Sequence, residues 1–239
     1  MKQITSTKLR HEEEGLVSNS GGDSACNISA MSTPIVREPS RFYYTVKRLI
    51  DIVLSLSGLI VLMPIFLVIA VCIKLDDRGE VLHFRKIVGK HGRHFYALKF
   101  RTMVPNADAY LQQYPELLRE YQKNMKLMYD PRITRVGRFL RKTSLDEFPQ
   151  LFNVLVGQMS LVGPRIIHPS ELPRFGEFAQ KRLSVKPGIT GLWQISGRKH
   201  ISYDERVLLD MKYIATRSGI NDLLILLKTP EVLLVHTGT

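Results

Sequence analysis

The sequence predicts a helix-rich, mixed α/β protein held on a membrane surface by one bent apolar helix. Three observations predict it. One segment of about 25 residues carries no Lys or Arg, and basic residues flank both of its ends. The rest of the chain carries one small hairpin signal and several amphipathic helical patterns, not a run of strands. At 239 residues the chain is long enough for one sizeable domain.

A polar tail comes first. Residues 1–40 are rich in Ser, Thr, Asn and Gly, with Ser18-Asn19-Ser20-Gly21-Gly22 at their centre, and show no apolar periodicity. They read as disordered. They are no secretory signal either, because Glu12, Glu13 and Glu14 stand where an apolar core would have to be.

The apolar segment, Leu49 to Ile73, reads LIDIVLSLSGLIVLMPIFLVIAVCI. Arg37, Arg41, Lys47 and Arg48 precede it, and Lys74, Arg78, Arg85 and Lys86 come after it. Basic flanks mark the cytoplasmic side of a membrane, so both ends belong on one side, which a simple crossing does not allow. Pro64 lies near the middle, with Ser57 and Gly58 one to two turns earlier. Proline removes an intrahelical hydrogen bond and kinks the helix. Residues 41–75 are therefore expected to form a re-entrant helix broken at Pro64; a single transmembrane crossing is the alternative. Asp51 is expected to pair with Lys47 or Arg48.

Residues 76–239 are expected to form one domain on the cytoplasmic face. It starts with a hairpin: Val81-Leu82-His83-Phe84 and Phe95-Tyr96-Ala97-Leu98 are strand-like, and Gly89-Lys90-His91-Gly92 supplies the turn. His91 and His94 have a metal-like spacing with no third ligand in view, so they read as loop histidines. From Asn106 to Tyr129, Leu111, Tyr114, Leu117, Leu118 and Tyr121 recur at helical spacing around Pro115, which predicts one or two short helices. Tyr203 to Ile214 places Val207, Leu208, Met211 and Ile214 on one side. Ile220 to Val235 is nearly all apolar, too short to span and broken at Pro230; it fits a helix in the membrane interface or one buried in the core.

The chemistry concentrates in Asp130 to Arg165, DPRITRVGRFLRKTSLDEFPQLFNVLVGQMSLVGPR. Arg135, Arg138 and Arg141 recur every third residue and share one stripe of a helix. Guanidinium forks suit phosphate oxygens, although a solvated basic face is the common fate of such runs. Asp146 and Glu147 come directly afterwards. Ser144-Leu145-Asp146-Glu147 also fits a capping box, and Pro149 suits the first turn of a helix beginning at or just after Ser144. A carboxylate at that positive end stays ionised, as a nucleophile must. Capping and catalysis both remain open on these grounds.

Two cysteines, Cys26 and Cys72, in contexts so unlike point to no disulfide framework and to a reducing compartment. The formal net charge of +12 implies an anionic partner: nucleic acid, anionic lipid or a phosphorylated substrate.

LRKTSLDEFPQLFNVLVGQMSLVGPR, together with VKPGITGLWQISGR further on, resembles the bacterial sugar transferases, the monotopic phosphoglycosyl transferases acting on polyprenyl phosphate. The resemblance runs from Lys47-Arg48 and Asp51 through Pro64, Phe84-Arg85, Val88-Gly89 and Lys99-Phe100-Arg101-Thr102-Met103 to Asp210, Tyr213 and Lys228-Thr229. It implies a re-entrant helix broken at Pro64 in the bacterial inner membrane, with the rest on the cytoplasmic face. It implies catalysis by Asp146 and Glu147. Asp146 would attack a UDP-sugar, release UMP and hand the phosphosugar to undecaprenyl phosphate, starting exopolysaccharide, capsule or O-antigen synthesis. It implies Mg²⁺, for which Asp146 and Glu147 are the candidate ligands. Arg101, Arg138, Arg141, Arg165 and Lys186 are the candidate phosphate and nucleotide ligands. Gly188 and Gly191 would permit close backbone approach. Trp193 and Arg198 are candidates for uracil or sugar contact, with packing the alternative for Trp193. GLWQISGR is most similar to the hexose-using branch, galactose or glucose. Lys86 and Ile166 stand where the family pattern has Gln and Pro, which bears on substrate selectivity. The multi-span N-terminal region of larger relatives is not seen in this sequence.

The implied partners are the donor, the lipid acceptor and membrane lipids, with no nucleic acid; a homodimer is admitted. The competing reading is a basic, membrane-anchored binding module for anionic lipid or nucleic acid without catalysis. It accounts for the charge and the apolar segment, but not for two carboxylates set among arginines.

Overall fold

A computed structural model describes residues 38–235, except 125, 126, 128 and 198–200. The expected tail up to residue 37 and Arg198 therefore lie outside the described residues.

Helix α1 (Arg41–Asp77) dominates the architecture. Ser40 caps its start by accepting from Tyr43 N–H, and Arg78 ends it in the left-handed conformation at φ 56°. The helical assignment continues through Pro64 as one element. Asp51, Ser55, Gly58, Leu59, Leu62, Phe66, Ile69 and Ile73 form one buried or half-buried stripe at helical spacing, and Pro64 lies outside it. The other side exposes Leu49, Ile50, Val53, Leu54, Ile60, Val61, Met63, Leu67, Val68 and Val71. Each such side chain gains about 1.5–3 kcal/mol when fully withdrawn from water, so a face this apolar and this long favours an apolar partner over water. Among the described residues α1 is the one helix long and apolar enough to cross a membrane, by length and composition.

The first half of α1 is tied down by polar contacts. Asp51 is buried and accepts from Ser160 Oγ (3.1 Å) and Leu161 N–H (2.9 Å) instead of pairing with Lys47 or Arg48. Lys47 pairs with Asp222 at 2.7 Å, and Tyr43 and Tyr213 hydroxyls donate to the same carboxylate at 2.8 Å each.

The hairpin forms as the alternation predicts. Strands β1 (Leu82–Val88) and β2 (His94–Phe100) pair antiparallel from Leu82↔Phe100 to Val88↔His94. His91 turns the chain at φ 57°. Pro115 divides the next segment into α2 (Ala107–Gln112) and α3 (Pro115–Asn124), as expected.

Helix α4 (Arg135–Thr143) is capped by Thr134 and carries the arginine stripe. The capping box at Ser144 does not form. Ser144 is the left-handed C-cap of α4 at φ 59°, a 3₁₀ turn occupies Leu145–Glu147, and α5 (Gln150–Leu155) starts only after Pro149. The S-x-x-E pattern is thus a break between two helices rather than a helix start.

A short parallel pair, β3 (Ser160–Val162) and β4 (Gly188–Thr190), brackets the 3₁₀ stretch Pro169–Phe178 and α6 (Ala179–Arg182). Helices α7 (Leu192–Ile195), α8 (Tyr203–Thr216) and α9 (Gly219–Val235) complete the order. Helix α8 buries Val207, Met211 and Ile214 as expected, but Leu208 is exposed and Asp210 and Tyr213 are buried instead. Helix α9 continues through Pro230, where a break was expected, and exposes Ile220, Leu223, Leu224 and Leu227 while burying Ile225. The main core joins Ile87, Val154, Met159, Val162 and Ile214, and a second cluster sets Ile69 and Ile73 of α1 on Phe100 and Leu140.

Candidate active site

Asp146 sits on the 3₁₀ turn between α4 and α5, with the residue only 5% exposed. Both flanks of the turn are fixed by close packing. Gly137 of α4 lies so near the end of β2 that a Cβ there would stand 2.1 Å from Thr102 O, so only glycine lets the helix dock. Thr134 N–H donates to Thr102 O at 3.2 Å, and Arg141 Nε donates to Thr102 Oγ1 at 2.8 Å. From the other side, Asn153 of α5 completes the edge of β2: its Oδ1 accepts from Leu98 N–H (2.9 Å) and its Nδ2 donates to Tyr96 O (2.8 Å). Arg48 of α1 donates to Val154 O and Leu155 O, 2.7 Å each, where the helix dipole favours a cation.

These contacts bring Lys99 of β2 to the turn. Its Nζ lies 3.1 Å from Asp146 Oδ2. Among the described residues Asp146 Oδ1 takes no hydrogen bond, so one oxygen is held and the other is open. Glu147, next on the turn, is half-buried. Cross-strand partners share a sheet face, so His83 and Arg85 of β1 lie beside Lys99 and Ala97. Farther along, this face becomes core at Ile87 and Phe95. Burial pushes the His83 imidazole down, and the Lys99 and Arg85 charges add to the effect, so His83 is neutral at neutral pH. Arg85 reaches Glu171 at 3.3 Å.

The other candidates divide. Arg141 stands near Asp146 in the field of the turn, and Arg138 is exposed on α4. Arg101 is committed elsewhere: its guanidinium grips the Asp77 carboxylate and donates to Glu80 O and Met103 O, closing the end of α1. Lys186 lies with Arg48, Asp51, Lys90 and Lys47 near the start of α1; burial, then the Arg48 charge, pushes its ammonium down. Arg165 lies over the Trp193 ring at 5.1 Å. Gly188 and Gly191 do permit close approach, but of chain to chain: a Cβ would stand 2.1 Å from Gly163 N or 2.2 Å from Gly163 O.

Three site residues went unassigned in the sequence. Lys99 lies 47 positions before its carboxylate partner, so no local pattern joins them. Gln150 lies four residues after Asp146 and is buried, its Nε2 without a partner among the described residues. Arg206 reaches the Trp193 ring at 5.2 Å. For Gln150 the adjacent acidic pair was the available signal; for Arg206 there was none.

An acid pair beside lysine and arginine, on a chain with one exposed apolar helix face, makes a site suited to handling phosphate. The chain belongs to the bacterial sugar transferase family, whose sequence model matches residues 42–236. It is 45% identical over 208 residues to a Salmonella typhimurium protein named undecaprenyl-phosphate galactose phosphotransferase, covering 85% of this chain and 43% of that one. It is 43% identical over 215 residues to an Erwinia amylovora UDP-galactose-lipid carrier transferase, covering 88% and 44%. With the Sinorhizobium fredii exopolysaccharide production protein ExoY it shares 41% identity over 197 residues, covering 81% and 87%. The chain thus spans less than half the length of the first two relatives and most of the third.

Proposed function

We propose that this protein transfers hexose 1-phosphate from a UDP-sugar to undecaprenyl phosphate and so begins assembly of an exopolysaccharide, capsule or O-antigen. The observation that carries it is Asp146, buried on a tight turn with Lys99 on one oxygen and the other oxygen open. A carboxylate so held is aimed, as a nucleophile must be. Asp146 forms an oxygen–phosphorus bond to the phosphorus that bears the sugar. The bond to the bridging oxygen breaks, and UMP leaves with its electron pair. A phosphate oxygen of the lipid then attacks the same phosphorus and releases Asp146.

Lys99 and Arg141 offset negative charge as it builds on the phosphoryl oxygens, the main demand of such chemistry. Asp146 and Glu147 also fit Mg²⁺, which takes one or two carboxylates and fills its remaining positions with substrate phosphate and water. The ion would supply charge neutralisation on the diphosphate.

Membrane seating is read from α1. Its first half is tied to Asp222, α5 and β3, and its second half to Arg101 and to the Phe100–Leu140 cluster. Both ends therefore belong to one polar domain, which favours a monotopic, re-entrant seating on the cytoplasmic face of the inner membrane over a crossing. The galactose and glucose names among the relatives support a hexose donor.

The test is UMP release by lipid-embedded protein given Mg²⁺, undecaprenyl phosphate and one UDP-sugar at a time. Release with a single sugar is expected, lost on adding EDTA and in Asp146→Asn. Near-normal turnover by a folded Asp146→Asn protein would sink the covalent route.

A further inference from the structure

The cluster around Trp193 holds more positive charge than it neutralises. Trp193 is 8% exposed, and two guanidiniums sit on its ring, Arg165 at 5.1 Å and Arg206 at 5.2 Å. An indole face attracts a cation, which helps hold both, but the two charges repel each other. Burial and the Arg165 charge push the Arg206 guanidinium below its ordinary value. Beneath them Arg182 is wholly buried and donates to Arg165 O. Two carboxylates face these cations: Glu171, whose charge reaches Tyr203 beside Arg174 but which is paired with Arg85, and Asp210, which lies 4.0 Å from Arg182 Nε and accepts from the Arg165 N–H. Burial lifts Asp210 to about 7, so near neutral pH it offsets only part of one charge.

The buried donors point the same way. Among the described residues, the donors Trp193 Nε1, Arg206 Nε, Arg182 Nε and Nη1 and the Tyr203 hydroxyl have no hydrogen-bond partner, against two such acceptors, Asp210 Oδ1 and Gln194 Oε1. Buried donors are normally paired, so several orphans at one place call for an acceptor. A water would serve the donors but leave the charge. A phosphate group serves both, offering several oxygens to two planar forks. The indole is covered by arginines, so it acts as their platform and not as a stacking surface for a base.

We propose that Arg165 and Arg206, mounted on Trp193, form a subsite for a phosphate monoester, on different elements from the Asp146 turn. Arg182 and Asp210 hold the Arg165 backbone from below and keep its fork aimed. The identity of the monoester rests on the phosphosugar-transfer reading: the phosphate of UMP, or the phosphate of the lipid acceptor.

Trp193 is the only tryptophan in the chain, so intrinsic fluorescence reports on this site alone. The full chain in lipid nanodiscs is titrated with inorganic phosphate, UMP, uridine and a short-chain polyprenyl phosphate. A saturable change with UMP and none with uridine is expected. Arg165→Gln and Arg206→Gln should each weaken it at least about tenfold, the loss of one charge-assisted fork. Arg206→Lys, which keeps the charge and most of the packing, should fall between. Asp146→Asn should respond as the unaltered protein does, even with turnover abolished, so a failed transferase reading leaves this result standing. Competition between the lipid phosphate and UMP assigns both to the subsite in turn; a response to UMP alone assigns it to the nucleotide. No response to any phosphate probe overturns the proposal. So does an unchanged response in both glutamine variants, an equal response to uridine, or loss of the response in Asp146→Asn.

Discussion

The Asp146 turn and the Trp193 cluster handle charge in opposite ways. At the turn, a carboxylate is matched by cations, with Asp146 meeting Lys99 at 3.1 Å and Arg141 nearby. Around Trp193, Arg165, Arg206 and Arg182 outnumber Asp210, which burial keeps half-neutral, while Glu171 is taken by Arg85, and several donors go unpaired among the described residues. On the proposed mechanism the matched end fixes a group that must attack from a defined position. The unmatched end leaves its charge for something that arrives with the opposite sign. Preorganisation would then take two forms in one chain: a reacting atom already held, and a receptor whose strain is relieved only by its ligand.

Breaking the matched end should cost the most. Lys99→Met keeps the length of the side chain and removes the charge that holds Asp146. A loss of about a hundredfold or more in kcat is expected, with little change in donor KM, because the turn itself is held by Thr102 and Asn153. Glu147→Gln should also impair kcat severely, by about tenfold or more, and should raise the Mg²⁺ concentration needed for half-maximal rate. If Lys99→Met raised KM alone, Lys99 would be a substrate ligand and the contrast between the two ends would collapse.

Breaking the unmatched end should read differently. Arg165→Ala should raise the KM for the phosphate-bearing substrate by about tenfold and leave the fold intact. Its contact with Trp193 is worth only ~0.5–1 kcal/mol, and its removal relieves the repulsion with Arg206. Thermal unfolding of the variant checks this: a midpoint near that of the unaltered protein supports a receptor, while a large drop would mark Arg165 as a structural element.

The sequence shows these two ends unequally. The hairpin was legible because its strands alternate and glycines bound its turn, and Pro115 announced the division between α2 and α3. Asp146 and Glu147 stood out among their arginines, yet the Ser144 pattern pointed to a helix start. The structure uses Ser144 to end α4 in the left-handed conformation, a choice set by the docking of Gly137 on Thr102 and invisible to local pattern. Pro64 and Pro230 announced breaks, while packing on one side carries both helices through. Lys99 with Asp146, and Arg206 with Trp193, are joined by tertiary contact alone. So the carboxylates and Arg141 were readable from neighbours in sequence, and Lys99 and Arg206 were not.

The smallest expected effect tests whether Asp210 is the weak counter-charge that the contrast requires. Burial raises its carboxyl from 3.8 to about 7, although Arg182 and the Arg165 N–H favour ionisation. Between those values the folded state binds a proton that the unfolded chain releases. Asp210 therefore contributes most to stability below about pH 4, and the contribution is lost as pH rises toward about 7. Asp210→Asn cannot titrate. It should be flatter than the unaltered protein over this window, and the gap between them should change by about 1–3 kcal/mol in favour of the variant as pH rises. Unfolding midpoints measured across the window decide it. Parallel curves would mean that Asp210 is ionised throughout and fully offsets Arg182. The Trp193 cluster would then hold one positive charge fewer for an incoming phosphate.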